Sequence, residues 1–527
     1  MHHYDPMRPR LRMTLYEFQT GHLIVRDSTR HCGLRKRAVS ANEIRRRSDH
    51  IYVLQDQGLL MYVLVQPAPS LALYLNMSTT DTDQTKLGPI NPVTRSYMAG
   101  CLKLGLHFTV YHRLSMLVIV PNLFMILYGI LERNLFQQPR ICLSGVAANV
   151  AAAVLIRQDH IINILFWSFG QLPHRTPLWL RKHAAKLYHL GGIHSGAGVA
   201  AGIWFLFFNI AAVHRRPRNM PLMAGIIATV ALCTLMDILF LQILVFSIPV
   251  IRTKFHDLWE QMHRFSGWML LTSFWAFPSL YNIYESRSTS GPSLGELFYF
   301  DPAFYLLSIT TLSVILPWLR LRRVRPRSER LSEHAVRLHF DCADVSACKT
   351  PRFSTSPLSE WHSFASIPNE STKGYSIIVS RAGDWTSKII DETPSTLWTR
   401  GRPARGVLYM ARMFRTILCV GTGSGIAPIL GLLTLPNLKF RILWSAPDPE
   451  RTFGSDIMRR VLRADSDAVI WDTNQRGRPN LVAEAKQIYN EGDTEAVFVI
   501  SNAKVTADVV RGLESQNIPA FGPIFDS

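Results

Sequence analysis

Ile417-Leu418-Cys419-Val420-Gly421-Thr422-Gly423-Ser424-Gly425-Ile426-Ala427-Pro428 is the stretch whose reading decides how the C-terminal part of this chain folds. Residues 417–420 are apolar and predict a buried strand, and 429–433 are apolar again and predict a helix. Between them, glycine lets the backbone turn tightly and come close to a diphosphate. A helix N-terminus beyond it offers free N–H groups to that anion. Pro428 suits the first helical turn, where its missing N–H costs nothing. Gly421, Thr422, Gly423, Gly425, Ile426, Ala427 and Pro428 are therefore candidate nucleotide-binding residues, with a purely structural strand-to-helix turn as the alternative.

Working outward, apolar runs at 440–444, 468–471 and 496–501 alternate with helical stretches such as 505–515. That alternation predicts a parallel sheet covered on both faces. Upstream, short alternating runs at 335–341, 375–381 and 406–410, separated by Pro, Gly and Ser, predict a small antiparallel barrel.

Before residue 320 the pattern changes. Segments near 108–131, 141–160, 186–213, 221–250, 258–283 and 303–319 approach the length of about 20 apolar residues that one bilayer crossing needs. Lipid gives the backbone no hydrogen-bond partner, so each is expected to be a helix. Arg157, Asp159 and His160 interrupt the second segment and read as its cytosolic end, continuing into an interfacial stretch through Phe169. Basic residues lie in the N-terminal arm, the 171–186 loop, the 252–254 turn and the 320–330 tail. With an even number of crossings they place both termini in the cytosol; His214, Arg215, Arg216 and Arg218 fall on the other side. Residues 1–50 read as a basic arm without persistent structure, and 51–75 as a buried or interfacial apolar patch rather than a crossing.

The net charge of +19 would suit nucleic acid, but the arginines flank apolar runs, as in Leu319-Arg320-Leu321-Arg322-Arg323, and fit an anionic lipid surface better. No nucleic-acid partner is expected. The seven cysteines form no CxxC pair, so neither a zinc site nor a disulfide framework is indicated.

Trp361-His362-Ser363-Phe364-Ala365-Ser366, followed by Arg381-Ala382-Gly383-Asp384-Trp385-Thr386, resembles in order and spacing the flavin-binding barrel of the ferric reductase and NADPH oxidase flavoproteins. Together with Trp471-Asp472-Thr473, Gly477-Arg478-Pro479 and the ending Pro523-Ile524-Phe525-Asp526-Ser527, these stretches are similar to fungal TmpA-like transmembrane flavoproteins. The resemblance extends over about residues 105–527, and modules of this kind also occur joined to adenylate-forming enzymes. It implies FAD held by His362, Ser363, Phe364, Gly383, Asp384, Trp385 and Thr386, and NAD(P)H on the 421–428 loop; Arg352 is a candidate cation for the flavin diphosphate, with an ordinary surface arginine as the alternative. His362 and Ser363 are suited to hydrogen-bonding a flavin edge; an ordinary barrel strand is the alternative.

Two departures from that family matter. Its Cys-Gly, where nicotinamide meets flavin, corresponds here to Ser501-Asn502, and Asn502 adds bulk where glycine leaves space. Phe525 is placed to stack on the flavin as a C-terminal aromatic does in relatives, or else to serve as a core residue; Ser501, Asn502 and Phe525 are the candidate catalytic positions. Ferric reductases also hold two haems on paired histidines about 13 residues, or roughly 20 Å, apart on each of two helices. Here only His194 and His263 lie at similar depth, so at most one haem is expected, with Gly191-Gly192 and 196–198 leaving room for it.

The fold expected is a polytopic α-helical membrane bundle of about six helices, an antiparallel β-barrel for FAD, and an α/β parallel-sheet nucleotide domain. The boundaries are 1–105 for the arm, 106–320 for the bundle, 321–410 for the barrel and 411–527 for the α/β domain. The function expected is an integral-membrane oxidoreductase carrying electrons from NAD(P)H through FAD to an unknown acceptor at the cytosolic face. The alternatives are a flavin- or nucleotide-sensing regulator without turnover, and a ferric-reductase-like electron carrier.

Overall fold

The computed structural model describes residues 109–524 except 133–134, 136–138, 215–221, 287–292, 342 and 371, together with five backbone strands between residues 13 and 63. The chain forms two compact units, residues 1–100 and 101–527. In the first, Met13–Gln19, His22–Asp27 and Lys36–Ser40 pair antiparallel, as do Tyr52–Asp56 and Leu59–Val63. Within the first pair Leu15 lies opposite Val25 and Tyr16 opposite Ile24, residue types that favour strands.

In the second unit helices come first, and among the described residues those of eight residues or more are α1 Val110–Leu131, α2 Pro139–Leu155, α3 Asp159–Phe169, α4 Leu178–Ala185, α5 Gly191–His214, α6 Leu222–Phe246, α7 His256–Ser286 and α8 Pro302–Ile315. Side-chain pairs give their directions. Tyr111 meets Ser195 and Trp204 donates to Asn122, so α1 and α5 run parallel. His194 bonds the Ala153 carbonyl while Asn149 donates to Asn122, so α2 runs against both. Trp268 on Trp318 and Trp275 on Thr311 set α8 against α7.

Among the described residues three helices are long and apolar enough to cross a membrane: Val110–Leu131, Leu178–Ala211 and Pro302–Arg320. α2 and α3 add a fourth only as one broken span bent by 66°. The single crossing expected at 141–160 is thus two helices, because Arg157 and Gln158 end the apolar run and Asp159 begins a new helix. α7 opens on His256, Asp257, Glu260, His263 and Arg264.

Among the described residues ten short strands come between Arg320 and Thr416; Lys349–Thr350 pairs with Ala404–Arg405, and the other eight are β1 Arg322–Val324, β2 Arg327–Arg330, β3 Ala335–Phe340, β4 Arg352–Ser354, β5 His362–Ser363, β6 Ile367–Pro368, β7 Tyr375–Ser380 and β8 Leu397–Thr399. They form two antiparallel sheets ordered β5-β4-β8-β1 and β6-β7-β3-β2. Val324, Phe353 and Leu397 of one sheet share a core with Leu338, Phe340, Ile377 and Val379 of the other, closed by helix α9 (Asp384–Glu392) through Trp385, Ile389 and Ile390.

The last layer is a parallel sheet of β9 Thr416–Thr422, β10 Lys439–Ala446, β11 Val469–Asp472, β12 Ala496–Ile500 and β13 Ala520–Phe521, ordered β11-β10-β9-β12-β13. Helices α10 Ile426–Leu432 and α11 Ser455–Ala464 pack on one face with Cys419, Trp444 and Phe498. Helices α12 Leu481–Glu491 and α13 Ala503–Glu514 pack on the other with Leu418, Leu443 and Val499. Near-continuous apolar strands are what a sheet buried on both faces demands. The strand expected at 406–410 is instead a 3-10 turn, Val407–Met413. Every residue in it except Arg412 is buried, so no polar-apolar alternation exists to fix a strand.

Candidate functional site

β5 pairs with β4 so that Arg352 faces Ser363 and Phe353 faces His362. The His362 imidazole stacks on the Trp385 indole at 4.3 Å between centroids and 28° between planes, and Phe364 lies on the same indole at 5.8 Å. The two motifs that sequence reading singled out therefore meet in one aromatic stack. His362 Nε2 and Trp385 Nε1 are buried without a hydrogen-bond partner, as is the Ser380 hydroxyl five residues before Trp385. Buried polar atoms are normally paired. The two ring nitrogens within the stack fit a site built for a polar, planar ligand. Burial holds the His362 imidazole below its ordinary range, so it is neutral near pH 7.

Gly383 opens α9, and the Thr386 hydroxyl accepts from the Ala382 and Gly383 amides at 2.9 and 3.0 Å. The polar role expected of Thr386 is thus met by its own loop. Arg352 donates to Asp159 at 2.9 Å, and the Arg402 amide donates to the other carboxylate oxygen at 3.1 Å. Arg352, expected near the flavin diphosphate, thus has one nitrogen on α3 and keeps 30% of its side chain exposed. A cation that the sequence did not signal stands nearby. Arg400 is held between Trp318 and Trp361, 4.4 Å from each ring centroid. Burial and the neighbouring Arg264 and Arg352 lower its pKa to about 10. Residues 318, 361 and 400 share no local pattern, so only the fold reveals the sandwich.

The glycine loop lies where β9 and β12 adjoin, the point at which strand order reverses and doubly wound sheets open a crevice. A Cβ on Gly425 would lie 2.1 Å from the Ile500 carbonyl oxygen, so the loop and β12 can touch only through glycine. Gly423 has φ +51° and open space where a side chain would point, and its carbonyl accepts from Trp444 at 3.0 Å. Thr422 and Ser501 share a hydrogen bond of 2.5 Å. Asn502 is the N-cap of α13, its side chain accepting from the Val505 amide at 3.0 Å. The expectation that Asn502 adds bulk at the crevice is thereby corrected, since the side chain turns back onto its own helix. Phe525 lies outside the described residues.

In the helices, the His194 and His263 rings stand 5.9 Å apart at 31°. The glycines expected to give room beside them divide into two sets. A Cβ on Gly192 or Gly196 would strike the Tyr111 or Ser115 carbonyl oxygen, so those positions serve the packing of α5 on α1. Gly198, Gly202 and Gly267 meet nothing within 4 Å. Among the described residues no group of three or more His, Cys, Asp or Glu side chains could hold a metal ion.

α3 and α4 tie this unit together. Asn163 donates to the Pro403 carbonyl, and Arg181 donates to Glu495 and to the Met413 carbonyl. Arg264 of α7 reaches the Leu358 and Ser359 carbonyls at 2.8 and 3.0 Å.

Two proteins of Coprinopsis cinerea, adenylate-forming reductases 03009 and 06235, are each 40% identical to this chain, over 421 and 422 residues. Each alignment covers 80% of this chain and 40% of the relative, so the chain spans about two fifths of the length of the relatives it matches. A ferredoxin NADP+ reductase from Neisseria gonorrhoeae with bound FAD and NADP aligns at 13% identity and a TM-score of 0.32, covering 38% of this chain and 98% of that one. Residues 407–527, the α/β layer with the buried turn that leads into it, match the family of the C-terminal domain of adenylate-forming reductase 03009.

Proposed function

We propose that this chain is a membrane-anchored flavoprotein reductase, taking electrons from NAD(P)H through FAD at the cytosolic face and passing them to an acceptor in or beside the helices. The observation that carries this reading is the stack of His362, Trp385 and Phe364 with its unpaired ring nitrogens. A glycine loop at the strand-order reversal of the parallel sheet supports it, as does the reductase name of the two relatives. When bound, FAD supplies the redox chemistry. The chain's own residues hold and orient it: His362 Nε2 and Trp385 Nε1 stand ready to meet polar ring atoms, and the open backbone at Gly423 can approach the nucleotide diphosphate. Three helices of crossing length and the basic residues Arg175, Lys182, Arg252 and Lys254 near the C-terminal module support the membrane and its orientation. The test is the absorbance spectrum of the purified protein. A flavin spectrum that Trp385→Ala abolishes is expected; a folded, colourless protein that takes up no added FAD overturns the reading.

A second reading adds a single haem between His194 and His263. It is favoured by the facing rings and by the open positions Gly198 and Gly202, one and two turns along α5 from His194, and Gly267, one turn along α7 from His263. The Nδ1 of His194 is engaged by the Ala153 carbonyl at 2.9 Å, which leaves Nε2 as the nitrogen for a metal. The same spectrum tests it: a Soret band lost in His263→Ala supports it, and its absence from the native protein removes it.

A further inference from the structure

α3 and α4 have two faces of opposite character. One is fixed to the C-terminal module through Asn163, Phe166 and Arg181. The other exposes Ile164, Trp167, Phe169, Leu178, Trp179 and Leu180, with Trp167 at 52% and Trp179 at 64% exposure. Among the described residues after Arg320, Leu358 and Leu462 are the exposed large apolar side chains, so this apolar surface stops where the module begins. It is continuous in chain with α2 and α5, and the 66° bend after α2 turns α3 across the direction of that helix. Residues 160–185 contain no Asp or Glu but do contain Arg175, Arg181 and Lys182. Exposed tryptophans beside basic residues, on a helix turned across a bundle and on the first turns of the next one, are the composition that settles in a membrane interface.

We propose that α3 and the turn after it lie in the plane of an anionic bilayer surface and that α4, the first turns of the Leu178–Ala211 helix, enters the bilayer there, with Trp167 and Trp179 at the headgroup–acyl boundary and Arg175 and Lys182 against lipid phosphates. The opposite face carries the module, so this element seats the module on the membrane. The proposal rests on the reading that the long helices cross a bilayer. Charge complementarity and continuity with those helices favour lipid over a second copy of the chain as the occupant.

The experiment places a nitroxide at Trp167→Cys or Trp179→Cys of the full chain, with Cys32, Cys101 and Cys342 replaced by Ser. The remaining cysteines are buried. Reference labels stand at Phe124→Cys on α1 and Leu462→Cys on the module, all in bilayer discs containing anionic phospholipid. Relaxation by oxygen and by a water-soluble nickel chelate reports depth. At 167 and 179, strong oxygen relaxation and nickel relaxation severalfold below that at 462 are expected. Arg175→Glu with Lys182→Glu should raise the nickel value toward that at 462. Nickel access at 167 and 179 equal to that at 462, with 124 still in lipid, overturns the proposal while the membrane reading stands. Shielding from both reagents assigns the face to a second copy or another protein and also overturns it. Nickel access at 124 overturns the membrane reading itself.

Discussion

Asn502 caps α13, so its side chain is a stability element. Asn502→Ala should cost about 1 kcal/mol and Asn502→Gly only a few tenths, measured by thermal unfolding. Neither should speed flavin reduction in stopped flow, because the side chain already points away from the crevice. Any gain in the double variant Ser501→Cys, Asn502→Gly should be reproduced by Ser501→Cys alone. His362 makes a pH prediction. Burial lowers its pKa below 6.5, so the unfolded chain binds the proton first and stability falls as pH drops below that value. His362→Gln should flatten the acidic limb of the unfolding midpoint against pH between the ordinary and the lowered pKa. At this scale the motif residues were legible because their spacing fixed which two segments face each other across one barrel. The Arg400 sandwich and the Arg352–Asp159 pair were not, since each joins residues brought together only by docking of helices on strands.

The elements read most clearly were the parallel strands, where 417–420 and 496–500 are apolar without interruption and sit side by side in β9 and β12. Their junction makes the sharpest packing prediction. Gly425→Ala pushes a methyl into the Ile500 carbonyl, and overpacking of this kind costs about 1–3 kcal/mol. Nucleotide affinity, read by titration, should fall with it. α3 and α4 were legible only as an interruption, because the charges that end the apolar run at 157–160 say nothing of what they will face. What they face makes a second prediction. Arg181 is 5% exposed at its side chain and Glu495 21%, and breaking a buried pair from one side costs about 3–5 kcal/mol. Glu495→Gln should approach the lower figure, given its partial exposure. Burial raises the Glu495 carboxyl, but the bonds from Arg181 and the Arg415 amide outweigh this and hold it below 4.5. This stabilisation is therefore present above pH 4.5 and lost as pH falls through the lowered value. Denaturation of the native chain in acid, compared with Glu495→Gln, checks both the size and the sign.

For the whole molecule, alternating helix directions bring 159–190, the start of α7 and the end of α8 to the same side as the C-terminal module. That arrangement predicts a C-terminal tag fully protected from protease in sealed right-side-out vesicles and cleaved once they are opened. Cleavage from outside would reverse the topology. The order of layers could be read along the chain because each has its own periodicity, whereas the contacts between layers depend on distant residues. The Arg181–Glu495 pair, 314 residues apart, sets a schedule for biosynthesis. At about 5–20 residues per second, the arginine emerges roughly 15–60 s before its partner exists. Through that interval the guanidinium must be satisfied by water, by phospholipid or by a chaperone. A nascent chain stalled between the two positions would present Arg181 without Glu495, before the C-terminal module has been completed.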